Sequence, residues 1–91
     1  MALTIEHDPR IGRFHTVVHG HLCVCDYRLR DATMFITHTE VAPEIEGQGI
    51  AGELVRTALA YARDSGLKVR PLCSYAQSYM RRHPETHSLL A

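Results

Sequence analysis

Glu46-Gly47-Gln48-Gly49-Ile50-Ala51-Gly52, running directly into Glu53-Leu54-Val55, is the stretch whose reading decides the fold. Its three glycines stand at the mouth of the longest helical pattern in the chain. Glycine lets backbone approach a ligand closely and adopt positive φ. A helix start presents unpaired N–H groups and the positive end of a dipole. Together these make a seat for an anion, a phosphate above all.

Downstream, Ile50, Leu54, Val55, Ala58, Leu59 and Ala62 recur at helical spacing, and Ser65-Gly66 supplies a stop. Leu67 to Leu72 reads as a strand. A strand after a crossover helix pairs parallel to an earlier one, most simply the strand just before the helix. Pro71 cannot donate a ladder hydrogen bond, which points to those two strands parting there. Ser74-Tyr75-Ala76-Gln77 has the pattern of a capping box opening a final helix through Arg82, and His83-Pro84 ends it. Residues 85–91 carry no readable pattern.

Upstream, the period changes from helical to alternating. Leu3 to His7 alternates apolar and polar until Asp8-Pro9-Arg10 breaks it, and Arg13 to Val18 follows. His19-Gly20 is a tight turn. Cys23, Cys25, Tyr27 and Leu29 then share one strand face, with Leu22, Val24, Asp26 and Arg28 on the other. Asp31-Ala32 separates them from Thr33 to Val41, apolar on both faces at its start like a central strand. The expected fold is therefore α+β. A four-stranded antiparallel meander leads through the Gly-rich turn into a long helix, then a fifth strand parallel to the fourth, then a C-terminal helix.

Composition narrows the partners. The 91 residues suit one domain spanning 1–91, without repeats or linkers. Ten basic residues balance ten acidic ones, which argues against nucleic acid and against a polybasic membrane patch. Met1 to Arg10 lacks the apolar stretch of a secretory leader, and no apolar run approaches the ~20 residues of a membrane span. Three cysteines without framework spacing fit a reducing cytoplasm, and no zinc-ligand spacing occurs, so no metal is expected. Oligomeric state is not legible; a monomer is the simplest expectation.

The order of elements, with Thr39-Glu40-Val41-Ala42-Pro43-Glu44-Ile45-Glu46-Gly47-Gln48-Gly49-Ile50-Ala51, resembles the GNAT superfamily of acetyl-CoA-dependent N-acetyltransferases. It is most similar to the superfamily's minimal branch, with His38-Thr39-Glu40-Val41, Pro71-Leu72-Cys73 and Arg81-Arg82-His83-Pro84-Glu85 matching further signatures. The superfamily's phosphate loop reads (Gln/Arg)-x-x-Gly-x-(Gly/Ala). Gly49 and Ala51 match it, while Glu46 holds the leading position. A carboxylate ~5 Å from a diphosphate costs about 1–3 kcal/mol, less if it points to solvent. Backbone N–H groups can carry the binding regardless.

The resemblance implies pantetheine between the splayed fourth and fifth strands, with the diphosphate over Gly47 to Gly52. It assigns CoA contacts to Val41, Gly47, Gln48, Gly49, Ile50, Ala51, Gly52, Cys73, Tyr75 and Arg82. Glu40 is the candidate general base, against the alternative of a solvated edge carboxylate; His38, on the same face, is a second base or a packing or substrate contact. Cys73 is an acyl-accepting nucleophile, a pocket wall or inert core. Tyr79, or Tyr75 one turn earlier, is the acid for the departing thiolate or a packing residue. Arg82 either reaches the adenosine phosphates or caps its helix in solvent.

Larger members of the superfamily insert helices between the first two strands to build the acceptor site. Asp8-Pro9-Arg10-Ile11-Gly12 leaves no room for them, so an open acceptor side is expected. The leading expectation is an N-acetyltransferase moving acetyl from acetyl-CoA to a small-molecule amine, a protein lysine or an N-terminus. The alternatives are a non-catalytic CoA or acyl-CoA binding module and an interaction domain that keeps the fold without the cosubstrate.

Overall fold

The computed structural model describes residues 3–91. Met1 and Ala2, where the segment expected to carry no leader begins, lie outside the described residues. The sheet runs in the order β1 (Glu6–Asp8), β2 (Arg13–Val18), β3 (His21–Arg30), β4 (Thr33–Glu40) and β5 (Lys68–Pro71). The first four strands pair antiparallel and β5 lies parallel to β4, as the α+β expectation required. Two helices follow the meander, α1 (Ile50–Asp64) and α2 (Ser74–Arg82). Among the described residues, no helix is long and apolar enough to cross a membrane.

Both two-residue hairpins turn through left-handed backbone, His19-Gly20 at φ 50° and 79° and Asp31-Ala32 at φ 52° and 59°. That handedness matches the twist of the strands they join. The turn between β1 and β2 depends on Gly12, at φ 72°, where an added Cβ would stand 2.2 Å from the Tyr27 carbonyl oxygen. β1 is shorter than the expected Leu3 to His7. Its start leaves the ladder, and the Thr16 hydroxyl donates to the Thr4 carbonyl at 2.8 Å.

The helix pattern read from sequence is the one that packs. Ile50, Leu54, Val55, Ala58, Leu59 and Ala62 are all buried, against Phe14, Cys23, Cys25, Tyr27, Met34, Ile36 and Val69. Gly66 ends the helix at φ 72°, with the Leu67 N–H donating to the Ala62 carbonyl at 2.8 Å. α2 adds Ala76, Tyr79 and Met80 to the same core. The opposite sheet face has no such cover among the described residues. Val24 is its one buried apolar side chain, and the cross-strand partners Val17 and Leu22 are 63% and 53% exposed.

A β-bulge governs what each face carries. Asp26 pairs with His38 and Tyr27 with Ile36, which leaves Thr37 as an extra residue in β4. Strict alternation would put Ile36, His38 and Glu40 on one face. The bulge shifts the phase, so His38 and Glu40 turn to the open face with Asp26 and Val24. Thr39 turns inward beside Cys25.

β4 and β5 do part near Pro71, but not because of it. The Lys68 and Leu72 N–H groups both point to β4, donating to Ala32 and Ile36. Alternation then aims the Pro71 nitrogen at the outer edge of β5. Separation starts where the Leu72 and Cys73 N–H groups converge on the single Ile36 carbonyl, at 2.9 and 3.1 Å. The C-terminal segment is ordered as well. Pro84–Leu89 forms a 3-10 helix, and Leu90 bridges Val69 along that outer edge.

Candidate functional site

The splay between β4 and β5 opens a cleft of about 310 Å³ that continues under the start of α1. Thr39 near the end of β4 and Val41 just beyond it form one wall, Tyr75 from α2 another. Ile45, 4% exposed at the end of a 3-10 turn over Pro43–Ile45, anchors the connecting loop in the core. The rest of the lining is Glu46, Gly47, Gly49, Ile50 and Ala51.

Gly47 and Gly49 hold φ of 84° and 82°, with open space where a side chain would stand. Their requirement is conformational: both residues hold left-handed backbone on the way into α1. Gly49 is the N-cap and offers no side-chain acceptor. Among the described residues, the N–H groups of Gly47, Gln48, Gly49, Ile50, Ala51 and Gly52 have no hydrogen-bond acceptor. A run of free donors at a helix start fits an anion, and here the backbone supplies it without any side chain. Glu46 is the single charged residue of the lining.

Gly52 serves differently from its neighbours. A Cβ there would lie 3.3 Å from the Tyr75 hydroxyl oxygen and 3.8 Å from Cε2 of Tyr79, so its lack of a side chain seats α2 against α1. The expected capping box at the start of α2 does not form as read. Cys73 is the N-cap, its Sγ accepting from the Ala76 N–H at 3.4 Å, while Gln77 donates back to the Pro71 and Leu72 carbonyls. Thr39 Oγ1 lies 3.4 Å from the same sulfur. Behind it, burial pushes the Cys25 thiol up to about 12 despite the Thr39 hydroxyl, so Cys25 stays protonated.

His38 and Glu40 stand on the other side of β4, on the open face. His38 Nε2 lies 2.9 Å from Glu40 Oε1, and the two side chains are 54% and 68% exposed. Next to them Asp26 is engaged by Arg13 through two hydrogen bonds, at 2.7 and 3.1 Å. The strand therefore presents Thr39 to the cleft and the His38–Glu40 pair to the open face, one residue apart.

Of the residues singled out from sequence, the structure brings Val41, Gly47, Gly49, Ile50, Ala51 and Tyr75 together in the cleft. Gln48 and Gly52 flank it, and Cys73 reaches it through Thr39. Tyr79 is not in the lining. It is buried, stacked on His83 at 4.1 Å, its phenol raised by burial, and borders a second cleft with Arg56 and Glu85. Arg82 is exposed in the last turn of α2, away from the lining. Thr39 and Ile45 were not singled out. Ile45 had a signal, a lone apolar residue between two glutamates, whereas the facing of Thr39 depends on the bulge. Among the described residues, no three His, Cys, Asp or Glu side chains group as a metal would require.

A family model described as GCN5-related N-acetyl-transferase matches residues 13–89. Protein NATD1 of Xenopus tropicalis is 28% identical over 87 residues, covering 91% of this chain and 79% of that protein. Human N-acetyltransferase 8B is 49% identical over 47 residues, 52% of this chain and 21% of that protein. A GCN5-like protein from Staphylococcus aureus, solved in solution by NMR, superposes with a TM-score of 0.78 at 25% identity. That match covers 98% of this chain and 88% of the other.

Proposed function

The chain belongs to the GCN5-related N-acetyltransferase family, and from that premise we propose that it transfers acetyl from acetyl-CoA to an amine. The observation that carries the reading is the run of free N–H groups from Gly47 to Gly52, opening on a cleft between parted strands. Those amides would hold the diphosphate, with Thr39, Val41 and Tyr75 along the thioester arm. When bound, acetyl-CoA supplies the activated acyl group.

The chain's own residues do the rest. The bulge turns the His38–Glu40 pair toward the open face, from which an amine arrives. Glu40 accepts the amine proton directly or through water, and His38 orients the carboxylate. Tyr75, which lines the cleft, is better placed than Tyr79 to protonate a leaving thiolate. Cys73 shapes the site through Thr39 and caps α2. A CoA-binding module without turnover is the second reading, favoured by the burial of Tyr79 away from the cleft.

Calorimetric titration with acetyl-CoA, for the wild type and Gly49→Val, tests the first step. Binding that weakens strongly in the variant supports the seat, because valine opposes the φ of 82° there. No heat at millimolar acetyl-CoA removes both readings. Release of CoA thiol across a panel of amines and peptides then separates transfer from mere binding.

A further inference from the structure

The balanced composition conceals a segregated surface. On the open sheet face, cross-strand register aligns Arg28, Phe35 and Arg70 in one row, and Arg30, Thr33 and Lys68 in the next. All four cations are exposed. Arg30 meets only Asp31 at 3.8 Å and Lys68 donates to the Ser88 carbonyl. Among the described residues, Arg28 and Arg70 have no carboxylate within ion-pair distance.

The other end of the face is acidic. Register aligns Glu6, His15, Val24 and Glu40 in one row and Asp8, Arg13, Asp26 and His38 in another. Arg10 and Arg13 occupy Asp8 and Asp26, which leaves Glu6 and Glu40 without an Arg or Lys partner. Val17 and Leu22 form an exposed apolar step beyond them.

We propose that this face docks an acceptor polypeptide, with the reacting lysine at the Glu40 end and an acidic residue of the same segment on Arg28 and Arg70. The assignment rests on the acetyl-transfer reading above. From Glu40 to the Phe35 row is about 13–16 Å along β4, which an extended peptide covers in four or five residues. A small amine held at Glu40 has nothing to place on the basic end, about 13–16 Å away along β4. A nucleic acid would meet the carboxylates of Glu6 and Glu40. Charge complementarity at both ends selects a polypeptide and fixes its direction.

The test uses the full chain, labelled for amide NMR, and two extended peptides. Each carries one lysine; five residues on, one has two glutamates and the other two glutamines. The glutamate peptide is expected to bind about tenfold tighter, the scale of a few surface charge pairs, with shifts at Arg28, Phe35 and Arg70. Added salt should shrink that preference. Arg28→Glu/Arg70→Glu should abolish or reverse it, and both positions are exposed, so the spectrum itself reports that the variant folds.

Equal affinity of the two peptides for the wild type overturns the proposal, as does an unchanged preference in the double variant. Concentration-dependent shifts across this face without peptide also overturn it and assign the face to a second copy of the chain. Acetyl-CoA calorimetry on the same samples keeps the two readings apart. Heat without peptide discrimination removes only the docking surface; absence of heat removes acetyl transfer and with it the lysine.

Discussion

Thr39 Oγ1 and Cys73 Sγ meet at 3.4 Å across the point where β4 and β5 have already parted. The contact ties the end of β4 to the N-cap residue of α2 after the backbone ladder has stopped. The same sulfur accepts the Ala76 N–H, so one side chain both caps a helix and spans the splay. Cys73→Ala is expected to lose roughly 0.5–1 kcal/mol, the low end for an N-cap, while Cys73→Ser keeps the cap. Urea unfolding measures both. If Cys73→Ala is also fully active and the wild type shows no acetyl adduct by intact mass, Cys73 is structural and not a nucleophile.

Glu40 lies on the face of β4 opposite the cleft. Glu40→Gln should therefore lower amine-dependent CoA release about 100-fold, the scale of a general base, while leaving acetyl-CoA affinity unchanged. Unaltered turnover would move the base elsewhere. Weakened acetyl-CoA binding would contradict the separation of the two faces.

Glu46 is the one charged residue in the cleft lining, and it carries the sign of the expected ligand. Glu46→Gln should tighten CoA binding about two- to fivefold at low salt, an exposed-charge effect that fades as ionic strength rises. Calorimetry at two salt concentrations reads this directly. A weaker complex would mean that the carboxylate organises the loop.

His7 stacks on Phe14 at 4.1 Å, meets Tyr61 edge-on at 4.5 Å and shares a hydrogen bond with the Tyr27 hydroxyl. Burial lowers its pKa from 6.5, with Asp8 opposing. The unfolded chain thus binds a proton at higher pH than the folded one. Stability is present above 6.5 and is lost as pH falls through that value toward the depressed folded one. Tm measured between about pH 7.5 and pH 5.5 should fall less for His7→Phe than for the wild type. Parallel curves would discount His7.

The fold was legible because its signals are local and periodic. Alternation marks the strands, the stripe from Ile50 to Ala62 marks α1, and Ser65-Gly66 marks its end. What stayed hidden depends on partners distant in sequence. The bulge at Thr37 is a property of β4 against β3, and it decides that His38 and Glu40 face outward while Thr39 faces in. Cys73 displaces Ser74 as the N-cap, its sulfur taking the Ala76 N–H, which no local pattern announces. Pro71 marks where the strands part, as its lack of an N–H suggests, although its nitrogen faces the outer edge and is not what separates them. Charge segregation was invisible in a sum of ten and ten, since only strand register places Arg28 beside Arg70.

The free amides from Gly47 to Gly52 belong to the main chain. They constrain the sequence only through proline, which deletes an N–H, and through the positive φ that Gly47 and Gly49 hold. The open face, by contrast, is written wholly in side chains. Sequence drift can therefore rewrite which acceptor this scaffold prefers, one surface residue at a time, while the donor seat persists. Across relatives of this length, the grip on the donor should outlast any given substrate preference, and a member that has lost its chemistry should still hold the nucleotide.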